Sequence, residues 1–332
     1  MSVTVRSYAK INLGLYIGPR RADGFHDLRT VYQTIALHDI VRVEVVRGAG
    51  IEIGSKDPRV PRDATNTCYG IAERVMKALK ARGKVIIEID KRLPVQGGLG
   101  GASGNAVAAL LALERALKKQ LRGEEMLRIA AEVGSDLPLF LVGGTSLGVG
   151  RGEEVYPLPD FPSVPCVVAT PEIGVSTPKA FADWDALIET PKGRTPKKLT
   201  LSDPSDRMST FSRVVSAWLS GSQLKTGKAA SGVPVSKGRG RAENPLLDLV
   251  RTGIENDFEQ VVFPQYPVLR DVKSAIRKSG AYYASLSGSG SALYGLFTTR
   301  VMAEKAAARL TKSGIPAVAT ATLTRQQYWK RF

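Results

Sequence analysis

Residues 84–113 run from a strand, through a turn nearly stripped of side chains, straight into a helix, and that order confines the chain to a small set of folds. Lys84-Val85-Ile86-Ile87-Glu88-Ile89-Asp90 alternates as a strand does, while Val107, Leu110, Leu111 and Leu113 recur at helical spacings. Between them lies Pro94-Val95-Gln96-Gly97-Gly98-Leu99-Gly100-Gly101-Ala102-Ser103-Gly104-Asn105, with five glycines from Gly97 to Gly104. Glycine lets backbone amides approach an anion closely, and the unpaired amides of a following helix add partial positive charge. Polyphosphate is the guest such a turn suits. A tight turn made only for packing is the competing reading. Neither the G-x-x-x-x-G-K-[ST] loop nor the G-x-G-x-x-G order of dinucleotide folds is present, so the turn is a different kind of nucleotide loop.

At 332 residues, with 43% hydrophobic and 23% charged content, the chain is long enough for two domains with real cores. No apolar run approaches the roughly 18 residues a bilayer span needs, and the first thirty residues lack a secretory pattern. Only Cys68 and Cys166 occur, far apart and without metal-like spacing, so the expected setting is a reducing cytoplasm. The net charge of +16 raises nucleic acid as a partner. Half of that charge, however, sits in residues 192–198 and 221–243, which hold nine Lys or Arg against one Glu. Their Gly, Ser, Pro and Lys content reads as a solvated excursion, which argues against a nucleic-acid role.

Along the chain, residues 2–17 read as two short strands and 20–29 as a polar loop, with strand-like alternation returning over 31–46 and breaking near His38. Helices are predicted over 66–81 and 123–133, the latter closed by Gly134 as a left-handed cap, and further strands over 145–170. A domain boundary is expected near 155–165, giving an N-terminal domain over 1–160 and a C-terminal domain over 161–332. Later come a helix over 267–279, a strand over 281–286, a strand over 292–297, a helix over 301–312 and a strand near 316–323. The class is α+β.

Phosphoryl transfer needs phosphates held in line, charge offset and an oriented hydroxyl, so a carboxylate and a cation are required beside the loop. Asp136, in Gly134-Ser135-Asp136-Leu137-Pro138, is a carboxylate among apolar residues at a sharp turn; a plain helix N-cap is its other reading. Lys10 lies within a strand-like run, where it either points to solvent or meets a buried anion. The turn Ser287-Gly288-Ser289-Gly290-Ser291 offers amides to a substrate, or simply connects two strands.

Taken in order, Ala9-Lys10-Ile11-Asn12-Leu13, Arg21-Ala22-Asp23-Gly24-Phe25-His26, the glycine loop, Gly134-Ser135-Asp136-Leu137-Pro138 and Leu286-Ser287-Gly288-Ser289-Gly290 resemble the galactokinase, homoserine, mevalonate and phosphomevalonate kinase (GHMP) superfamily. Within it, Lys-Ile-Asn-Leu and Arg-Ala-Asp-Gly-Phe-His are similar to the 4-diphosphocytidyl-2-C-methyl-D-erythritol kinases, which phosphorylate the 2-hydroxyl of their substrate in non-mevalonate isoprenoid synthesis. The resemblance covers roughly residues 6–183 and 244–323. It implies a ribosomal-protein-S5-like α+β domain followed by a ferredoxin-like α/β sandwich, with a basic low-complexity insertion over about 185–243. It also implies Asp136 as the base, Lys10 beside it, and residues 94–105 around ATP and magnesium, with Ser103 a candidate contact for metal or phosphate. The substrate would carry a cytidine diphosphate whose cytosine edge is read by His26, with Phe25 and Phe181 stacking on the ring and Asn12, Gly288 and Ser289 also at the substrate.

Three departures stand out. Ala102 and Gly104 flank Ser103 where the family loop carries more serine, leaving the magnesium ligands unassigned. Phe25 stands where tyrosine is usual. The insertion has no derived use, although Met208, Phe211, Val214, Val215 and Trp218 fall at helical spacing. Two other functions stay open at this point: a kinase for mevalonate, homoserine or a sugar, and a basic nucleic-acid-binding protein on a related fold. The sequence leaves the oligomeric state open.

Overall fold

A computed structural model describes residues 2–95, 97–189, 208–209, 211–212, 215–216 and 254–332. Gln96, Val214, Trp218 and both basic stretches lie outside the described residues.

The first half is built on a long antiparallel ribbon of β1 (Ser2–Arg20) and β2 (His26–Val46), joined by a short polar turn. β1 is one strand rather than the two expected, because register shifts at Tyr8/Ala9 and Asn12/Gly14 bend it without ending it. Its stretch from Ala9 to Ile17 is buried throughout, so the alternation that marks a half-exposed strand is absent there. The other edge of β2 pairs with β5 (Thr145–Val149) over Thr30–Gln33 and with β4 (Lys84–Asp90) over Ile40–Val46. β3 (Ile51–Ser55) adds to β4 in parallel, and β6 (Glu154–Pro157) adds to β5.

Helices α1 (Thr67–Ala78) and α2 (Gly101–Leu117) pack on this sheet. α1 buries Cys68, Ile71, Ala72 and Val75 at helical spacing, and α2 buries Val107, Leu110 and Leu113. α3 (Gly123–Val133) and α4 (Leu137–Val142) follow. Gly134 between them is not a left-handed cap: its φ of 177° is extended backbone, and Leu137 would crowd any side chain there. The chain leaves α3 extended and re-enters a helix within three residues.

The second half carries a four-stranded antiparallel sheet in the order β10-β7-β9-β8, made of β7 (Pro165–Ala169), β8 (Tyr283–Leu286), β9 (Leu293–Leu296) and β10 (Ala317–Ala321). Counted within this half, the order is 4-1-3-2. α7 (Pro267–Lys278) and α8 (Arg300–Lys312) cover it, preceded by α6 (Glu259–Gln265). α5 (Thr177–Glu189) packs on α6, so residues 185–189 are regular helix and not part of a low-complexity excursion. Met208, Phe211 and Val215, within the expected excursion, are buried against the core that includes Tyr16, and Arg29 donates to Met208 O and Ser212 Oγ.

The two halves share their interior. One cluster mixes Ile11, Leu13 and Val31 with Cys166, Tyr294 and Leu296. Where β1 bulges, its backbone is satisfied from the second half: Tyr294 donates to Asn12 O (2.9 Å) and Tyr283 to Leu13 O (3.1 Å), while Asp257 accepts from Ile17 N (2.9 Å). Burial pushes both phenols well above the ordinary tyrosine range, so they stay donors. The last helix, α9 (Arg325–Arg331), returns to the first half, where Tyr328 packs on Tyr8 and donates to Phe140 O at 2.7 Å.

Candidate active site

Period-two alternation puts Lys10 and Asn12 on one face of β1, and register puts Tyr32 opposite Asn12 on β2. Thr30, two residues before Tyr32, completes that face. Three of them form a chain of hydrogen bonds: Lys10 Nζ donates to Asn12 Oδ1 at 2.7 Å, and Asn12 Nδ2 donates to Thr30 Oγ1 at 2.8 Å. The Lys10 ammonium, its side chain 4% exposed, also lies 3.3 Å from Asp136 Oδ2. A buried ammonium needs such partners, because an unpaired one would cost several kcal/mol.

Asp136 occupies the N-cap position of α4 yet makes no capping hydrogen bond. Its carboxylate is turned the other way. Oδ2 faces Lys10, and Oδ1 accepts from the Tyr32 hydroxyl at 3.1 Å. Burial, reinforced by the Asp136 charge, raises the Tyr32 phenol well above its ordinary range and keeps it a donor. The carboxylate is 35% exposed, so its remaining lone pairs can reach a bound molecule. Tyr32 was not singled out by the sequence; only the β1–β2 register distinguishes it from any other tyrosine in a strand.

The glycine loop passes alongside. Lys10 N donates to Leu99 O (3.0 Å), which ties the loop to the strand bearing the ammonium. Gly98 has φ +79°, and a Cβ there would lie 2.1 Å from Ser287 O, a backbone atom. The serine-glycine turn is equally close: Ser287 Oγ donates to Gly98 O (3.0 Å) and Ala292 N to Gly97 O (2.9 Å). Gly288 abuts the Lys10–Asn12 pair, and Ser289 exchanges a hydroxyl hydrogen bond with Thr177 of α5 at 2.7 Å. The two glycine-rich turns therefore interlock, although they stand far apart in sequence.

Beside α2 the loop opens on a cavity of about 300 Å³. Pro94, Val95, Gly97, Gly98, Leu99, Gly100, Gly101, Ala102, Ser103 and Asn105 line it, and Gly104 does not. A side chain at Gly104 would press on Ser7 Oγ and Tyr8 O at 2.9 Å, which accounts for the missing second serine. The amides opening α2 precede its first internal hydrogen bond, Gly104 N to Gly100 O, and form an anion-binding end beside the cavity. The opposite wall is the segment from Arg59 to Thr67, where Val60 and Pro61 give an apolar face. Sequence reading missed this wall. It also missed Asp39, which is fully buried and accepts from Lys91 Nζ (2.5 Å), Arg92 N (2.7 Å) and Leu93 N (2.7 Å), anchoring the root of the loop.

A second cluster lies at the start of β2. His26 is buried and its Nε2 lies 2.7 Å from Asp185 Oδ1. Phe181 stacks on the imidazole at 5.1 Å between ring centres and 10° between planes, leaving no gap for another ring. Phe25 is 51% exposed, with the Arg151 guanidinium 5.0 Å above its ring. The next residue, Gly152, lies against the Tyr32 hydroxyl and close to Asp136 Oδ1, so the loop after β5 joins the two clusters. Among the described residues no group of three or more His, Cys, Asp or Glu gathers as a metal site.

The sequence pattern of the GHMP kinases N terminal domain matches residues 66–144, and that of the GHMP kinases C terminal domain matches residues 242–316. A protein of Solibacter usitatus named 4-diphosphocytidyl-2-C-methyl-D-erythritol kinase is 36% identical over 296 residues, covering 89% of this chain and 81% of that protein. The chain belongs to this kinase family. A relative of the same name from Acaryochloris marina is 32% identical, covering 92% of this chain and 91% of that protein. A crystal structure of 4-(cytidine 5'-diphospho)-2C-methyl-D-erythritol kinase superposes with a TM-score of 0.69 at 27% identity, covering 96% of this chain and 99% of that one. Homoserine kinase of Cytophaga hutchinsonii shares the fold, with a TM-score of 0.70 at 21% identity over 98% of this chain and 96% of its own. The chain is thus an ATP-dependent small-molecule kinase of the two-domain GHMP fold, as family members are. No helix among the described residues is long and apolar enough to cross a membrane.

Proposed function

We propose that this kinase transfers the γ-phosphoryl group of ATP to the 2-hydroxyl of 4-diphosphocytidyl-2-C-methyl-D-erythritol, a step of non-mevalonate isoprenoid synthesis. The observation that carries the reading is the Lys10–Asp136–Tyr32 constellation at 3.3 Å and 3.1 Å beside an amide-rich glycine loop, in a chain whose relatives bear that substrate's name. Asp136 takes the hydroxyl proton, and Lys10, 3.3 Å from its Oδ2, orients the carboxylate and offsets charge on the transferred group. Proton removal can lag phosphoryl transfer in a loose transition state, so orientation of the hydroxyl matters as much as basicity.

The amides of residues 97–103 hold the ATP phosphates. The apolar wall at Val60 and Pro61 suits the adenine. Magnesium, brought with the nucleotide, would offset phosphate charge, and Ser103, which lines the cavity, is a hydroxyl placed to meet it. Phe25 supplies an exposed ring for the cytosine, His26 reads the base edge with Phe181 packed behind it, and Asn12, Gly288 and Ser289 line the substrate's path. The protein works as a soluble cytoplasmic enzyme.

The test is ADP release with magnesium and ATP, comparing this substrate with mevalonate, homoserine and galactose. Turnover is expected with the cytidylyl alcohol alone and is expected to fall about 10²–10⁴-fold in Asp136→Asn. Turnover of another acceptor, or an undiminished Asp136→Asn enzyme, would overturn the reading.

A further inference from the structure

We propose that Asp185 fixes the tautomer of His26 and so makes this site choose cytosine over uracil; the substrate part of this inference rests on the cytidine reading above. Nε2 of His26 lies 2.7 Å from Asp185 Oδ1, and an ionised carboxylate only accepts, so Nε2 carries the proton. In the neutral ring Nδ1 is then a bare acceptor, and it has no partner among the described residues. Cytosine presents a 4-amino donor to such an acceptor. Uracil presents a carbonyl at the same place, and two acceptors repel.

The same helix also fixes how the ring is aimed. Phe181 and Asp185 stand four residues apart on α5 and therefore share a face. Phe181 covers the flat side of the imidazole at 5.1 Å, while Asp185 takes its edge. Phe258 meets Phe181 edge to face at 5.0 Å and backs it. With one face and one nitrogen held, the His26 ring cannot exchange its nitrogens without breaking both contacts. Asp185 acts through His26, so it is a positioning residue for specificity, and no ion pair to a lysine or arginine competes for it among the described residues.

Imidazole 15N spectroscopy reads the tautomer directly, and the chain has only two histidines. His38 is an internal reference, because its Nδ1 lies 2.8 Å from Ala36 O and must donate there. The expected result is a proton on Nε2 of His26 and on Nδ1 of His38. In Asp185→Asn the amide can donate or accept, so both His26 tautomers should populate. The preference for CDP over UDP, measured as inhibition constants against the substrate, should fall about tenfold, the equivalent of one neutral hydrogen bond. Asp185→Leu should act alike while keeping the helix. A proton on Nδ1 of His26 in the unaltered protein would overturn the proposal, as would equal weakening of CDP and UDP in Asp185→Asn, the mark of a merely structural role. An unaltered protein with the expected tautomer that binds neither nucleotide would instead refute the cytidine reading, and the specificity claim with it.

Discussion

Replacing Tyr32 by phenylalanine removes one oxygen from a site where both Asp136 oxygens already have assigned partners. The Tyr32 ring is buried at 2% exposure, so phenylalanine keeps the packing and deletes only the 3.1 Å hydrogen bond to Oδ1. A hydrogen bond to a charged group contributes about 1.5–3 kcal/mol. Asp136 is 35% exposed, so water can take up the vacated lone pair, which brings the loss to the lower end. A loss of about 1.4 kcal/mol from the barrier side is roughly tenfold in kcat. The Lys10 contact at 3.3 Å survives, so the Asp136 carboxylate is loosened but not lost. Steady-state ADP release should therefore show kcat down about tenfold, with KM for ATP and for the alcohol within about twofold. A double-mutant cycle with Asp136→Ala isolates the route: in that background, followed by single turnover, Tyr32→Phe should add nothing. An equal loss in both backgrounds would mean that Tyr32 acts through the fold, and the reasoning would fail.

Three further outcomes follow from the same geometry. Asp39→Ala strands the Lys91 ammonium and two backbone amides in the interior, and urea unfolding should show a loss of about 3–5 kcal/mol; a loss under 1 kcal/mol would contradict the anchoring role. Gly98→Ala forces a side chain onto Ser287 O at a φ of +79°, so ATP binding by calorimetry should weaken at least about tenfold in a protein that still folds, and unchanged affinity would refute the interlock. Burial pushes the Cys68 and Cys166 thiols from 9.0 up to about 12. The folded state then holds protons that the unfolded state has released, so stability falls as pH rises above about 9. Each thiol takes away up to about 1.4 kcal/mol per pH unit, and the Cys68→Ala Cys166→Ala protein should show a flatter alkaline slope between about pH 9 and 10. Native protein should resist thiol reagents at about pH 8, and both cysteines should react on unfolding.

Elements with one clean periodicity were legible in the sequence. The reading of 123–133 coincides with α3, and β4 and α8 lie within a residue of where alternation and helical spacing put them. β1 reads as two strands because the polar residues Arg6, Ser7 and Lys10 interrupt the alternation between Val5 and Ile11, and only the continuous pairing with β2 carries one strand through them. β3 spans only five residues, and α6 contains Pro264, so neither offers a strong local signal. The glycine loop, Lys10 and Asp136, which the fold brings together, stand out in the sequence because those residue types are unusual where they stand. Tyr32, Asp39 and Asp185 are ordinary in sequence. Their partners lie at Asp136, at 91–93 and at His26, and only the fold reveals those pairings.

The interlock of the two glycine turns bears on when this chain becomes an enzyme. The carbonyls of Gly97 and Gly98 are held by groups at Ala292 and Ser287, about 190 positions further on. A nascent chain that has already formed the first sheet still lacks the brace for its glycine loop, and the brace arrives only when β9 emerges. α9 then closes on Tyr8 of β1, a strand made long before it. Premature termination anywhere before β9 should yield a product that is catalytically silent, not a weak ATPase, because the part that would bind the nucleotide is shaped by the part not yet synthesised.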